Sequence, residues 1–297
     1  MLVVLLHVPP VQAFIGSEVA GALAQKFGTQ VSIGKVNLGF FNRIIIDDVM
    51  MLDQKGDSMI CASRVSAKLD FLPLKDGKIS VSSAQLFGLN ANIYKQDAKS
   101  PMNIQFVLDS LASKDTTHHT PLDLHIGSLI IRHGAVAYNQ RDIAPKPGVF
   151  SPQHLGITDL SAHIILSHLT DKDIHLAVKK IALKDKSGLQ LRNLRFKLDA
   201  DQQQALLRDF SIELPHSQLQ FDDLRATYRI ENKHIVKPTL QFQGGIKPSV
   251  ITLADITCFV PELRKFKDAL QLHLQFSGTS TSARIHNLEF KTQSGSL

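Results

Sequence analysis

Residues 59–71 read MICASRVSAKLDF, and this stretch decides the fold. Polar residues separate its apolar side chains, which recur at every second position or nearly so: Met59, Cys61, Val65, Ala67, Leu69 and Phe71. A period of two is typical of a β-strand with one apolar and one solvated face. Leu270, Leu272, Leu274 and Phe276 repeat the pattern near the end of the chain. The sequence therefore predicts a β-sheet with one apolar face.

Similar alternating segments follow one another between these two stretches and predict about 15 strands in all. Their connections are rich in Gly and Asp, which favours hairpins and antiparallel pairing. In several strands the apolar parity slips by one, as between Ile46 and Val49, which indicates a bulge or a twist. Strands about 4.8 Å apart would make such a sheet roughly 70 Å long, so we expect it to curl into a trough. A closed barrel and two stacked sheets are the alternatives.

Helical spacing of apolar residues occurs in only three places. It predicts an N-terminal helix over 11–27, a short helix after the N-cap candidate Asn103, and another over 255–266. A Pro-rich loop is predicted over 144–152. The expected fold class is mainly β: a long, curled antiparallel sheet of the open-groove type, with an N-terminal helix and two short interrupting helices.

The first six residues are apolar, but they are far fewer than the ~20 needed to span a bilayer. They also lack the charged flank and cleavage site of a signal peptide. We interpret residues 1–10 as the remnant of a membrane anchor, with a frayed hydrophobic terminus as the alternative. Residues 11–112 are predicted to form the helix and a first groove module, and residues 113–297 a continuing module truncated at its C-terminus.

Composition bears on the partner. The net charge of +6 favours an anionic partner, either nucleic acid or acidic lipid head groups. Many of the cations lie at strand edges and in turns and are not interleaved with exposed aromatic residues, which argues against nucleic acid. With 16 Phe and no Trp, the apolar face offers few hydrogen-bond donors and suits an apolar ligand.

No set of residues is typical of catalysis. The densest group of metal-ligating types is His118, His119, Asp123 and His125, which lacks the spacing of known zinc sites. Consecutive carboxylates at Asp47-Asp48 would point to opposite faces of a strand. The two cysteines, Cys61 and Cys258, fit neither a disulfide framework nor a metal site. We therefore expect no enzyme activity, no metal and no cofactor.

Several short segments resemble the TamB (translocation and assembly module) and AsmA-like proteins of Gram-negative bacteria, in particular the N-terminal part of the large proteins of Bacteroidota. The resemblance is clear at both ends of the chain and loose in the middle. It rests on residues 8–12 (VPPVQ), 28–36 (GTQVSIGKV), 45–49 (IIDDV), 52–57 (LDQKGD), 103–106 (NIQF), 255–263 (DITCFVPEL) and 276–279 (FSGT).

This resemblance implies a periplasmic protein anchored to the inner membrane, with a sheet folded into a hydrophobic groove (β-taco) that conducts phospholipid toward the outer membrane. It also implies a link to the assembly of outer-membrane proteins or autotransporters with an Omp85-type partner. The family supplies no catalytic residues.

Three hypotheses follow for the function. The first is a lipid groove whose inward side chains are Val65, Ala67, Leu69, Phe71, Leu270, Leu272, Leu274 and Phe276. The second is a scaffold that offers a sheet edge to outer-membrane protein substrates. The third, a periplasmic hydrolase, requires a polar cluster in a pocket.

Overall fold

Strands dominate the structure, which confirms the predicted mainly β class. The computed structural model describes residues 9–39, 43–70, 79–112, 122–169, 173–231, 234–265, 268–292 and 295–296. The chain divides into two units, one of Met1–Lys146 with Ser151–Ser161 and the other of Pro147–Phe150 with Ala162–Leu297.

The first unit contains two α-helices and most of the first eight strands, of which the last continues into the second unit. The helices are α1 (Pro9–Phe27) and α2 (Gln105–Ala112). The strands are β1 (Val31–Ser32), β2 (Lys35–Gly39), β3 (Arg43–Leu52), β4 (Ser58–Asp70), β5 (Ile79–Phe87), β6 (Asn90–Lys95), β7 (Leu122–Gln140) and β8 (His154–Leu169).

Pairing in the first unit is mixed, so the prediction of a purely antiparallel sheet is wrong. Strands β1 to β6 pair antiparallel, but β7 runs parallel to both β5 and β6. The connection from β6 to β7 contains α2, and a crossover of this length returns the chain to the same end of the sheet. The sequence does predict this helix, although its apolar spacing gives no sign of the strand direction that follows it.

A row of residues with left-handed backbone crosses the strands of the first unit. Asp48, Gly88, His133 and Asp159 have φ values of 54°, 60°, 55° and 53°. The strand registers align Asp48 of β3, Gly88 at the β5–β6 junction and His133 of β7 across the sheet, with β4 between the first two. The residue after His133, Gly134, lies beside Leu160 of β8, the residue after Asp159. This irregularity coincides with the predicted slip of parity after Ile46, which confirms that the backbone is irregular there.

Helices cover part of the first unit. Phe27 of α1, Val107 of α2 and Met59 of β4 form a buried cluster, and Met59 is only 1% exposed. Partly buried apolar residues surround it, among them Leu23, Met51, Ile60, Ile93, Ile104 and Phe106. This cluster fixes α1 and α2 against the sheet, and it takes Met59 away from any open face.

Proline and asparagine positions correct two details of the helix predictions. Helix α1 begins at Pro9, because the missing N–H groups of Pro9 and Pro10 cost nothing in a first turn. Asn103 is not the N-cap of α2, since its side chain bonds to backbone atoms of Asn92 and Tyr94.

Within the residues that the structure describes, the second unit has eleven strands beyond the end of β8 and no α-helix. Four short strands, β12, β13, β14 and β15, lie within a longer meander, and β8 leads into the unit from the first. The bounds are β9 (Ile174–Asp185), β10 (Gln190–Ala200), β11 (Gln204–Glu213), β12 (Gln218–Gln220), β13 (Leu224–Thr227), β14 (Ile230–Glu231), β15 (His234–Ile235), β16 (Gln241–Thr252), β17 (Ala269–Thr279), β18 (Ala283–Thr292) and β19 (Gly295–Ser296).

Strands β9 to β11, then β12 and β13 side by side, then β16 to β19 pair antiparallel in series. The predicted helix over 255–266 is wrong. Two 3-10 turns, Leu253–Ile256 and Pro261–Lys265, lie there, because Pro261 disfavours the helical conformation of the residue before it.

Asp48 provides a test of the row of left-handed residues. We expect Asp48→Val to lower the free energy of unfolding by about 1–2 kcal/mol, since a β-branched side chain tolerates a positive φ poorly. Asp48→Gly is the matched control and should be neutral or stabilising, because glycine accepts this conformation without strain. Urea unfolding followed by circular dichroism gives both values, and equal losses in the two variants would contradict this account of the row.

Candidate functional site

Every long strand of the second unit has one apolar face. In β10, for example, Leu194, Phe196 and Leu198 alternate with Arg195 and Lys197. The registers carry this alternation from strand to strand, so apolar residues oppose apolar residues. A continuous apolar surface therefore crosses β9 to β18.

An aromatic row lies in the middle of this surface. The ring centroids of Phe196 and Phe210 are 5.9 Å apart, and those of Phe210 and Phe221 are 4.6 Å apart. The row takes one residue from each of the strands β9, β10, β11, β16, β17 and β18, and one from the link between β12 and β13. These residues are Val178, Phe196, Phe210, Phe221, Ile246, Leu274 and Leu288. With neighbouring strands about 4.8 Å apart, these seven positions extend over roughly 29 Å.

A second apolar row runs beside the first through Leu176, Leu198, Leu207, Leu224, Gly244, Phe276 and Ile285. Gly244 makes room for Leu224 in this row, because a Cβ at this position would lie 2.0 Å from Cδ2 of Leu224 and would force that side chain to move. The third row runs through Ile174, Ala200, Ala205, Ala226, Phe242, Gly278 and Ala283. In both rows a glycine leaves room for a large neighbouring side chain.

Bulges keep these rows on one side, and a further register shift lies between Leu191 and Leu194 of β10. Pairs of residues in β9, β11 and β16 oppose single residues of their neighbours, and β18 has one extra residue. The residues in these bulges are mostly polar or Pro: Lys179 and Lys180, Asp209 and Phe210, Lys247 and Pro248, and His286. Each bulge restores the parity that the apolar spacing of its own strand breaks.

We call the three rows, together with Ile181, Leu194, Ile212, Leu270, Leu272 and Phe290, the apolar face. Most of its side chains are half-buried, and Val178 is its one large apolar side chain below 9% exposure within the described residues. Ile285, at the end near β18, is 60% exposed. A cavity of about 280 Å³ opens between Leu198, Leu207, Leu224, Phe242 and Phe276. Within the described residues of the second unit, which include no α-helix, these side chains are shielded mainly by one another.

The predicted groove residues of this unit occur together. Leu270, Leu272, Leu274 and Phe276 all lie on the apolar face, opposite Ile251, Ser249, Ile246 and Gly244 in turn. The intervening Gln271, His273 and Gln275 pair with Lys291, Glu289 and Asn287. The alternation that the sequence shows at 270–276 is therefore a true division between the two faces.

In the first unit, Val65 and Ala67 belong to two apolar ladders. Val65 lies between Ile46 and Leu86, and Leu86 pairs with Ile131. Ala67 has a corresponding place in a ladder of Ile44, Ala67, Ala84 and Leu129. Leu69 lies in β4 opposite Val81, and Phe71 lies outside the described residues.

Three residues of the apolar face were not predicted as groove candidates from the sequence: Phe196, Phe210 and Phe221. Phe196 has the same alternating neighbours as Leu274, so the pattern was present in the sequence. Phe210 and Phe221 follow a bulge and a short strand, where the period of two is broken. Only the register shows that the three rings form one row.

Polar and charged side chains occupy the opposite face. Asp199 accepts hydrogen bonds from His175, at 2.6 Å, and from Arg208, and these two contacts lower the pKa of its carboxyl group. Nδ1 of His273 in β17 lies 3.3 Å from Oε1 of Glu289 in β18. This face therefore carries exposed ion pairs, and each such pair contributes little to the stability of the fold.

Two of the segments that carry the family resemblance form a structural link in the first unit. The Tyr94 hydroxyl donates to Oδ2 of Asp53 at 2.8 Å, and the backbone N–H groups of Lys55 and Asp57 donate to Oδ1. Asn103 Oδ1 accepts from the Tyr94 N–H at 3.0 Å. These contacts connect the β3–β4 turn to β6 and to the chain before α2. Asp53 and Asn103, which belong to the resembling segments, therefore stabilise the fold.

Arg141 and Lys55 flank the Tyr94 ring, and the Arg141 guanidinium lies 3.6 Å from the ring centroid. Burial is the largest influence on the pKa of Asp53 and raises it, but the hydrogen bonds from Tyr94, Asp57, Lys55 and Asn103 outweigh burial. The net result is a lowered pKa, so Asp53 is ionised in the folded state at neutral pH.

Candidates for catalysis are few. No group of three His, Cys, Asp or Glu suited to a metal occurs within the described residues. His118 and His119 lie outside them, and Asp123 and His125 lie in β7. Cys61 and Cys258 are both free thiols, and burial raises the pKa of the Cys258 thiol, which makes it less reactive.

Comparison with known proteins finds no match, either among protein-family models or among curated proteins. In the described part of the chain, no helix combines the length and the apolar character that a membrane crossing requires.

Replacing Tyr94 by Phe tests the link at Asp53. The folded-state pKa of Asp53 lies below the unfolded value of about 3.9, so its stabilisation is present above that pH. It is lost as the pH falls through the folded-state pKa. Tyr94→Phe should lower the free energy of unfolding at neutral pH by about 1–3 kcal/mol, the usual effect of losing a hydrogen bond to a charged group.

The difference from the wild type should shrink below about pH 4, where Asp53 becomes protonated. Urea unfolding at a series of pH values measures this. Tyr138→Phe in β7 is the matched control, and we expect it to change neither the stability nor its pH dependence. A loss in Tyr94→Phe that stays constant down to acid pH would show that the carboxylate is not involved.

Proposed function

We propose that this chain is a non-enzymatic segment of a hydrophobic groove that carries phospholipid between the inner and outer membranes. The observation that supports this proposal is the apolar face of the second unit, which crosses seven strand positions in a unit whose described residues include no α-helix. An apolar surface of this size, rimmed by polar residues, is typical of a binding site.

The energetics favour an acyl chain as the occupant. Exposing one chain of about 16 carbons to water costs on the order of 12 kcal/mol, at ~0.8 kcal/mol per methylene. The aromatic row and its two neighbours would contact such a chain along their whole length. Because they offer aliphatic and phenyl groups, they select for apolar character and not for a particular head group.

The cellular setting of this proposal rests on the resemblance to the TamB and AsmA-like proteins. The chain would be periplasmic and associated with the inner membrane. Within that setting the two apolar ladders around Val65 and Ala67 would be the corresponding surface of the first unit. No catalytic residue is needed, since the lipid moves down a continuous apolar surface.

Leu272→Asp tests the groove, with Gln271→Asp as the matched control on the opposite face of the same strand. We expect phospholipid adducts in native mass spectra of the purified protein, a clear loss of adducts in Leu272→Asp, and wild-type adducts in Gln271→Asp. A charge among acyl chains is strongly unfavourable, whereas the same charge beside Lys291 is solvated.

Circular dichroism of both variants accompanies the mass spectra. A folded Leu272→Asp protein with fewer adducts agrees with an open groove. Global unfolding of Leu272→Asp would instead indicate a closed core, and a folded wild-type protein free of lipid would contradict the groove.

The edge of the second unit favours one alternative, a periplasmic scaffold that assists the assembly of outer-membrane proteins or autotransporters with an Omp85-type partner. Among the residues described there, β18 pairs with β19 at Lys291 and Thr292 alone, and its Ile285 and Leu288 are 60% and 45% exposed. An exposed strand of this kind can accept an added strand from another chain.

Proline at Ile285 separates the two functions. The scaffold predicts that Ile285→Pro abolishes binding of a fluorescent β-strand peptide from an outer-membrane protein, while Leu272→Asp leaves peptide binding unchanged. Fluorescence anisotropy measures both. If Leu272→Asp weakens peptide binding as much as Ile285→Pro does, the peptide uses the apolar face and not the edge.

A further inference from the structure

A cleft of about 480 Å³ lies in the second unit, where β9, β10, β11 and β16 approach one another. Four cationic residues line it, together with one carboxylate, one hydroxyl and one amide. These are Lys179, Arg195, Lys197, Lys247, Asp209, Ser211 and Gln220. The rest of the lining is apolar and comes from residues of the aromatic row: Val178, Phe196, Phe210 and Phe221.

The bulges explain why the cleft is there. Lys179 and Lys180 together oppose the single residue Arg195, and Asp209 lies in the bulge of β11 with a φ of 55°. Lys247 lies in the bulge of β16. Each extra residue disrupts the ladder locally and places an additional polar side chain at the strand, so charged side chains converge on one region of the sheet.

The charges in the cleft do not cancel. Lys197 pairs with Asp209 at 2.7 Å, and this contact is the main cause of the lowered pKa of Asp209. Lys179, Arg195 and Lys247 form no ion pair within the part of the chain that the structure describes. Three cations therefore share a cleft whose single carboxylate already has a partner.

Ser211 is an independent indication of a ligand. It is only 3% exposed, it lines the cleft, and its Oγ is a buried atom without a hydrogen-bond partner. Its cross-strand neighbours are Arg195 on β10 and Gln220 on β12. Buried hydroxyl groups are usually satisfied, so an unpartnered one beside cations marks a place where an acceptor is missing.

We propose that this cleft binds a phosphate oxyanion. The Arg195 guanidinium would donate two parallel hydrogen bonds, the Ser211 hydroxyl and the Gln220 amide would each donate one, and Lys179 and Lys247 would neutralise the charge. The backbone alternates here, so that Phe196, Phe210 and Phe221 of the apolar face are the chain neighbours of Arg195, Ser211 and Gln220. The cleft therefore adjoins the aromatic row, but Leu272 of the apolar face does not line it, so the two proposed sites can be tested separately.

Isothermal titration with inorganic phosphate tests the site in the full chain. We expect saturable binding by the wild type and a loss of roughly tenfold or more in affinity for Arg195→Gln, which removes a bidentate contact. Ser211→Ala should also weaken binding while leaving the unfolding midpoint unchanged or raised, because it removes an unpaired buried group.

Arg225→Gln is the matched control. Arg225 lies on β13, also points away from the apolar face, and lies outside this cleft, so this variant changes the net charge equally. We expect Arg225→Gln to bind phosphate as the wild type does. Absence of saturable binding by the wild type, or an equal loss in Arg225→Gln, would overturn the proposal.

Vesicles distinguish the two sources of phosphate. If the natural ligand is a lipid head group, phosphatidylcholine vesicles containing phosphatidylglycerol should sediment with the wild type and not with Arg195→Gln. If it is a soluble phosphate, the two proteins should behave alike with vesicles and differ only with inorganic phosphate. In either case Leu272→Asp should retain phosphate binding, so a failure of the lipid groove and a failure of this site can be told apart.

Discussion

Strand register is the constraint on which both surfaces of the second unit depend. Because side chains alternate with a period of two, a slip of one residue between neighbouring strands would exchange the apolar and the polar sides. The sequence spacing slips by one at Lys179, at Asp209 and at Lys247, and a bulge lies at each of these positions. Without the bulges, Leu207 and Phe210 would point to opposite faces of β11.

The same bulges connect the two proposed sites. On one side they keep Val178, Phe210 and Ile246 in a single row, and on the other they supply Lys179, Asp209 and Lys247 to the cleft. An irregularity of the backbone thus gives a smooth apolar surface and a charged cleft at once. A change in the position of a bulge would therefore move residues of the apolar face and residues of the cleft together.

Much of this fold can be predicted from the local spacing of apolar residues. The division of residues 270–276 between two faces, the helix over 11–27 and the slip of parity after Ile46 all follow from local spacing, and the structure confirms them. Local spacing could not predict the parallel pairing of β7, because strand direction depends on how a crossover of more than twenty residues returns to the sheet.

Local spacing also failed where a single residue outweighs a pattern. The helical period over 255–266 is real, but Pro261 divides it into two short turns. The cleft could not be predicted either. Its cations, Lys179, Arg195 and Lys247, are far apart in the sequence. Positive charge is therefore spread out along the sequence, but the pairing of the strands brings these three residues to one cleft.

The parallel pairing of β7 with β5 and β6 bears on the order in which the chain folds. Strands β1 to β6 pair with neighbours close in sequence, so they can form early as the chain leaves the ribosome. Strand β7 must wait for the crossover and α2, and its long-range pairing is slower to form. Until β7 docks, β5 and β6 lack one of their two neighbours. That interval is when the first unit is most exposed to aggregation, and a chaperone would be most useful then.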